Sequence, residues 1–197
     1  MARQIENDVN SIFVERWSPR AFDESTLSVA ELSRLFEAAR WAPSAYNAQP
    51  WRFIHARRGT PQWEQFLDFL IPYNRGWAQR ASALVVAISK EDIVPPGKTE
   101  AIRNGSHSYD TGAAVAYLIL QAHLAGLAAH VITGIDKEKA RATLDVPAGY
   151  QIESTIAIGR KASPDVLGDD LKAREAPNDR RPLASFVAEG KFSFGEN

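Results

Sequence analysis

Ala39-Arg-Trp-Ala-Pro43-Ser44-Ala45-Tyr-Asn47-Ala-Gln49-Pro50-Trp51-Arg-Phe53 sets a hydroxyl and two carboxamides between two prolines. Upstream, Ser28-Val-Ala-Glu31 has the spacing of a capping box, and Val29, Leu32, Leu35, Phe36 and Ala39 recur at helical intervals. That pattern predicts a helix running to about Trp41. Ala42-Pro43 ends it, because a residue ahead of proline is pushed out of the helical region. Trp51 to Ala56 reads as a strand, so the residues between form an irregular loop from helix to strand. Asn47 and Gln49 each offer donors and acceptors, the set needed to read the edge of a heterocycle. A polar turn that merely caps the helix uses the same residue types, and both readings stand at this point.

Downstream, Thr60-Pro61 places a capping residue and an N1 proline before a helix expected to carry Trp63, Phe66, Leu67 and Leu70. Ala83 to Ile88 is apolar on consecutive positions, which predicts a strand covered on both faces. Residues 90 to 109, with two prolines and two glycines, read as an excursion. Thr111 to Leu127 is the longest predicted helix and is apolar around nearly its whole circumference, so it must be buried all round. Its cover comes either from its own domain or, in part, from a second copy of the chain. Ala128 to Thr133 and Gln151 to Ile158 are further strands, separated by a helix beginning at an Asp136 cap. Strands and helices mix without a regular βαβ succession, which makes the fold class α+β. No repeat or low-complexity linker divides the chain. Residues 1–197 are therefore expected to form a single domain, with a charged, proline-rich C-terminal arm from about residue 160 packing over a neighbour.

Composition narrows the chemistry. The chain is 45% hydrophobic and 24% charged with a formal net charge of -1, which gives no reason to expect nucleic acid or an anionic membrane as partner. It has no cysteine, so disulfides, thiolate nucleophiles and Cys-based metal sites are excluded, and any redox work needs a borrowed cofactor. His55, His107, His123 and His130 show no metal-ligand spacing, and no G-x-G-x-x-G or P-loop is present. The first residues lack an apolar signal core. The longest apolar run, Ala113 to Leu120, is far short of the roughly 20 residues a bilayer requires. A cytoplasmic protein is expected.

Near the start, Arg16-Trp17-Ser18-Pro19-Arg20 should be extended, because Pro19 biases Ser18 out of the helical region. Residues two apart then point the same way and bring two guanidiniums and a hydroxyl to one side, a set suited to an anion with several oxygens. The alternative pairs these arginines with Asp23 or Glu24, or leaves them in solvent. Ile132-Thr133-Gly134 closes a strand with a glycine that admits either a close planar ligand or a plain turn. Arg180-Arg181-Pro182 adds a cationic cluster in the tail, which is either solvated or anion-binding.

In their order along the chain, these pieces resemble the nitroreductase superfamily of FMN-dependent oxidoreductases over nearly the full length. Arg16-Trp-Ser18-Pro-Arg20-Ala-Phe22 is similar to the family's Arg-x-Ser-x-Lys/Arg-x-Phe signature. Pro43-Ser44-Ala-Tyr-Asn47-Ala-Gln49-Pro50-Trp51 is similar to its Pro-Ser-x-x-Asn-x-Gln-Pro-Trp motif. The resemblance implies a mixed or antiparallel central sheet ringed by helices, in an intertwined homodimer with FMN at the interface. It implies that Arg16, Trp17 and Ser18 approach the phosphate and ribityl or pyrimidine side and that Arg20, the catalytic candidate, stands beside the flavin N1–C2=O edge. Pro43, Ser44, Ala45 and Asn47 would come from the partner, Asn74 would lie near the pyrimidine ring, Ile132, Thr133 and Gly134 near flavin N5, and Arg180 on the phosphate.

NADH or NADPH would then reduce the flavin, and a nitroaromatic, quinone or activated alkene would reoxidise it at the same face by ping-pong turnover, with Tyr73, Trp77 and Tyr109 as candidate walls of the acceptor pocket. Superfamily relatives also carry out dehalogenation, azoline oxidation and flavin fragmentation. A flavin carrier without turnover, or a phosphate- or carboxylate-binding module, are readings from other classes. Trp17 stands where Arg or His is common and Thr133 where many relatives carry Glu, so side-chain contacts at those two positions do not transfer.

Overall fold

The structure is a computed structural model that describes residues 3–195. Its centre is a four-stranded sheet in the order β1 (Trp51–Arg57), β2 (Ala83–Lys90), β6 (Tyr150–Gly159), β5 (Ala128–Ile132), antiparallel at every pairing. A short second sheet pairs β3 (Asp92–Ile93) with β4 (Ile102–Arg103) inside the expected excursion. β2 is central, and its consecutive apolar residues serve both faces, as the sequence predicts. Leu84, Val86 and Ile88 point to one core, and Ala83, Val85 and Ala87 to the other.

The second of these cores is roofed by α2 (Val29–Arg40) and α5 (His107–Leu124). The capping box of α2 forms as read: Ser28 Oγ accepts the Glu31 amide, and the Glu31 carboxylate accepts the Ser28 amide. α5 begins four residues before the predicted Thr111 and ends ahead of Gly126, whose φ of 72° suits glycine alone at low cost. Ala114, Leu118 and Ala122 are buried between α2 and the sheet. The opposite side of α5 is not covered by its own domain, which leaves the second of the two expected covers, another copy of the chain, for that side. Tyr109, Gly112, Ala116, Tyr117 and Leu124 lie exposed along it, with Tyr109 at 83% and Leu124 at 67%.

The other core is packed by α3 (Trp63–Asp68), α4 (Pro72–Ala78) and α6 (Lys137–Thr143). Here the helix predicted from Thr60 to carry Trp63 through Leu70 is shorter, ending at Asp68. Thr60 is not its cap: the Thr60 hydroxyl donates to the Arg57 carbonyl in a turn, and α3 starts at Trp63. Pro72 then opens α4 as a separate element. Trp77 on α4 is 1% exposed and stacks on Phe22, so it belongs to the core and not to a pocket wall.

The remaining α-helices among the described residues are α1 (Ser11–Glu15) and α7 (Asp169–Lys172). The C-terminal segment turns back along the chain's own N-terminal residues: the Gln4 amide donates to Asp179, and the Leu183 amide to Glu6. Among the described residues no helix is long and apolar enough to cross a membrane.

Leu118 is wholly buried at the seam between α2, α5 and the sheet. Leu118→Ala should therefore lower stability in urea unfolding by about 2–5 kcal/mol, and a loss under about 1 kcal/mol would show that the seam is loosely packed.

Candidate functional site

The extended segment after α1 lines a cavity of about 570 Å³. Arg16, Trp17, Ser18, Arg20, His130, Arg174 and Arg180 contribute to its wall, together with Arg3 from the N-terminus. Arg16, Ser18 and Arg20 thus share one space, although Trp17 lines it too and strict alternation is not followed; Arg16 Nη1 lies 3.4 Å from Ser18 Oγ. Neither arginine pairs with Asp23 or Glu24: Glu24 meets Arg80, and the Asp23 carboxylate accepts from Ser25. Arg20 instead sits 3.8 Å from Glu175, behind the cavity wall.

No carboxylate is among the residues that line the cavity. Burial, followed by the charges of Arg180 and Arg3, pulls the Arg16 guanidinium below its ordinary pKa. Arg3 is fixed by the carbonyls of Val14 and Arg16, and Arg180 by those of Asn178 and Asp179. Carbonyl oxygens orient a guanidinium without neutralising it. The Nε atoms of Arg3 and Arg20 are buried with no hydrogen-bond partner among the described residues. Such a wall is built to receive an anion with several oxygens.

Three of the lining residues, two arginines and a histidine, carry no local sequence signal. Arg3 precedes any motif, and Arg174 is placed by the Asp170 carbonyl and by the hydroxyl of Tyr73, 101 residues away. His130 Nδ1 donates to the Pro19 carbonyl at 3.1 Å, and its ring packs on Trp77. Burial first, and then the charge of Arg20, pushes the His130 pKa below its usual value, against the hydrogen bond to Pro19. At neutral pH this imidazole is uncharged.

The proline-framed loop lies elsewhere in the chain. Pro43, Ser44, Ala45 and Asn47 do not line the arginine cavity. The loop contains a 3-10 turn over Ala45–Asn47 and carries Tyr46, Asn47 and Gln49 at φ of 53°, 53° and 47°. Three non-glycine residues at left-handed φ within four positions store backbone strain that surrounding contacts must hold. Ser44 Oγ accepts the Gln49 amide, and buried Asp110 on α5 accepts the Ala45 amide at 3.1 Å and the Ser106 hydroxyl at 2.9 Å. The start of α5 is itself fixed by a β-bulge in β6. The register passes from Ala87↔Ser154 to Ile88↔Ile152, and the skipped Glu153 accepts hydrogen bonds from Ser89 and Ser108. None of the loop's side chains bonds to the end of α2, so it is not a helix cap. Tyr46 and Asn47 are held out to solvent.

Asn74 and Gly134 meet each other. Asn74 Nδ2 donates to the Gly134 carbonyl at 2.9 Å, and a Cβ on Gly134 would stand 2.5 Å from that nitrogen and 2.9 Å from Ile71. Any larger residue here would have to push aside the Asn74 amide and the end of Ile71 where α4 approaches the end of β5. Tyr73, next along α4, ties this corner to Arg174. The Ile132 side chain is buried in the core, Thr133 is exposed, and Tyr73 and Tyr109 are both open to solvent. No cluster of metal-ligating residues occurs among the described residues.

The nitroreductase family model matches residues 13–70 and 62–160, most of the chain. The chain belongs to the nitroreductase family. Its fold superposes on that of a solved oxidoreductase containing FMN with a TM-score of 0.94 and 41% identity, over 98% of this chain and 97% of the other. An oxygen-insensitive NADPH nitroreductase of Helicobacter acinonychis is 35% identical over 86 residues, 42% of this chain and 40% of its own. The 5,6-dimethylbenzimidazole synthase of Rhodospirillum rubrum is 26% identical over 170 residues, 77% of this chain and 81% of its own.

Two outcomes follow for this nitroreductase-family site. Asp110→Ala should speed hydrogen exchange of the Ala45 amide and cost about 1–3 kcal/mol, and unchanged exchange would show that Asp110 does not hold the loop. Because the folded pKa of His130 lies below the unfolded one near 6.5, the unfolded chain takes up its proton first. Stability should then fall as pH drops from about 7 through 6.5 toward the folded value. Urea melts across that range should show a shallower fall in His130→Asn. An unchanged slope would count against the assignment.

Proposed function

We propose that the chain is an FMN-dependent NAD(P)H oxidoreductase acting on a small organic acceptor. The observation that carries this reading is the crowding of Arg16 by Arg3 and Arg180 at a cavity lined by no carboxylate. The residues fit the cofactor: Arg3, Arg16, Arg180 and Ser18 supply donors for a phosphate, and Arg20 supplies fixed positive charge for the electron-rich edge of the ring. When bound, FMN supplies the two-electron chemistry that carries reducing equivalents from NADH or NADPH to a nitroaromatic, quinone or activated alkene, donor and acceptor using the site in turn. The protein's part is to bind, orient and polarise.

His130, uncharged and donating to Pro19, keeps the extended Arg16–Arg20 segment against β5. Asn74 fixes the Gly134 carbonyl, which leaves the turn at Thr133 and Gly134 rigid at the strand end. Trp17 takes part in the cavity wall on the same segment.

The active form in this reading is a homodimer. The exposed apolar stripe of α5, including Tyr109, Tyr117 and Leu124, packs against a second copy. Pro43, Ser44, Ala45 and Asn47 of one subunit, held outward in a strained loop, then complete the arginine cavity of the other. The loop's separation from the cavity within one chain supports this arrangement. We assign the enzyme to the cytoplasm, where NAD(P)H is regenerated.

Purified protein should show flavin absorption in the visible and bleach on anaerobic addition of NADPH or NADH. A yellow protein that does not bleach would be a flavin carrier, and a colourless one that ignores added FMN would contradict the reading altogether. Arg20→Ala should slow bleaching in stopped flow by about a hundredfold while FMN retention changes far less. Bleaching at the wild-type rate would remove Arg20 from its role.

A further inference from the structure

Glu175 belongs to the C-terminal segment, in a stretch whose charges the sequence leaves to solvent, yet its side chain is only 2% exposed. Its Oε1 accepts the amides of Arg20 at 2.6 Å and Ala21 at 2.8 Å. Its Oε2 lies 3.8 Å from Arg20 Nη1 and has no hydrogen-bond partner among the described residues. A clamp for two backbone N–H groups needs only one acceptor oxygen, and a neutral amide would provide it without the cost of burying a charge. The second oxygen serves no hydrogen bond. What it does supply is negative charge beside the guanidinium of Arg20.

Other groups nearby do not take that charge. Arg174, the preceding residue, is committed to the Asp170 carbonyl and the Tyr73 hydroxyl. Arg16 faces Ser18 and the cationic side of the cavity. Glu175 itself stays out of the cavity lining; its charge reaches that space from behind the wall, where Arg20 is the side chain beside it and His130 also feels it.

We propose that Glu175 is a positioning residue that fixes Arg20 against the cavity wall and offsets part of its positive charge, and so sets the reduction potential of the bound flavin. The proposal rests on the FMN reading given above. Full-strength charge on Arg20 would over-stabilise the reduced cofactor and leave it a poor donor to an acceptor; a buried carboxylate behind the arginine moderates this without occupying the site.

The test is the midpoint potential of FMN in the loaded protein, read spectroscopically against a reference dye, in wild type, Glu175→Gln and Glu175→Asp. Gln keeps an acceptor for both amides and the side chain's shape but removes the charge. It should raise the equilibrium constant for reduction by about tenfold, which for a two-electron couple is about 30 mV in the positive direction. Asp, which keeps the charge, should stay within about threefold of wild type. A merely structural role would move thermal stability and leave the potential alone. Equal potentials in wild type and Glu175→Gln, or a negative shift, overturn the proposal while leaving the FMN reading intact. Wild-type protein that cannot be loaded with FMN overturns both.

Discussion

The gathering of Arg3, Arg16 and Arg180 at one cavity lined by no carboxylate, where burial first and neighbouring positive charge second disfavour the Arg16 guanidinium, is the constraint around which the rest of the structure is arranged. Guanidiniums held together by backbone carbonyls keep their charge, and the cavity they line is suited to an anion. The chain meets the cost with contacts drawn from distant places: His130 on β5 bonded to Pro19, Glu175 bonded to Arg20 and Ala21, and the N-terminal residues laid along the C-terminal segment. Each fixes the extended Arg16–Arg20 segment from a different side. What would otherwise be a mobile cationic strand becomes a preformed wall.

A second constraint runs through α5. One side of this helix fills the core between α2 and the sheet, and its first turn anchors the loop that carries Ser44 and Asn47 through Asp110. Its other side presents tyrosines and leucine to solvent. A single element therefore ties core packing, loop geometry and the apolar face on which a second copy would sit. The bulge at Glu153 matters for the same reason, since it aims a carboxylate at Ser108 and sets where the helix begins.

Much of this was legible in the sequence. The capping box of α2 and the doubly buried β2 follow from local rules and the structure realises both, and it brings Arg16, Ser18 and Arg20 to one cavity, though with Trp17 beside them. The two motifs identified the family without any knowledge of the fold. α4 was missed because at seven residues it is under two turns long, too short for an apolar repeat to show. Glu175, Asp110, Arg174 and His130 were missed for a different reason. Their partners lie 155, 65, 101 and 111 residues away, and no local pattern reports such contacts. The all-round apolar pattern of α5 did raise cover by a second copy, but it could not say which side the chain's own core leaves open.

The central claim is that the site is completed across two subunits, with the arginine cavity of one and the amide loop of the other. Arg16→Ala disables the cavity side, and Asn47→Ala disables the loop side. The two purified variants, each poor in FMN, are mixed under conditions that allow subunit exchange, and bound FMN is measured. Random pairing makes half the dimers mixed, each with one of two sites intact, so the mixture should regain about a quarter of the wild-type FMN content. A mixture that stays at the level of its parents would mean that both halves of the site come from one chain.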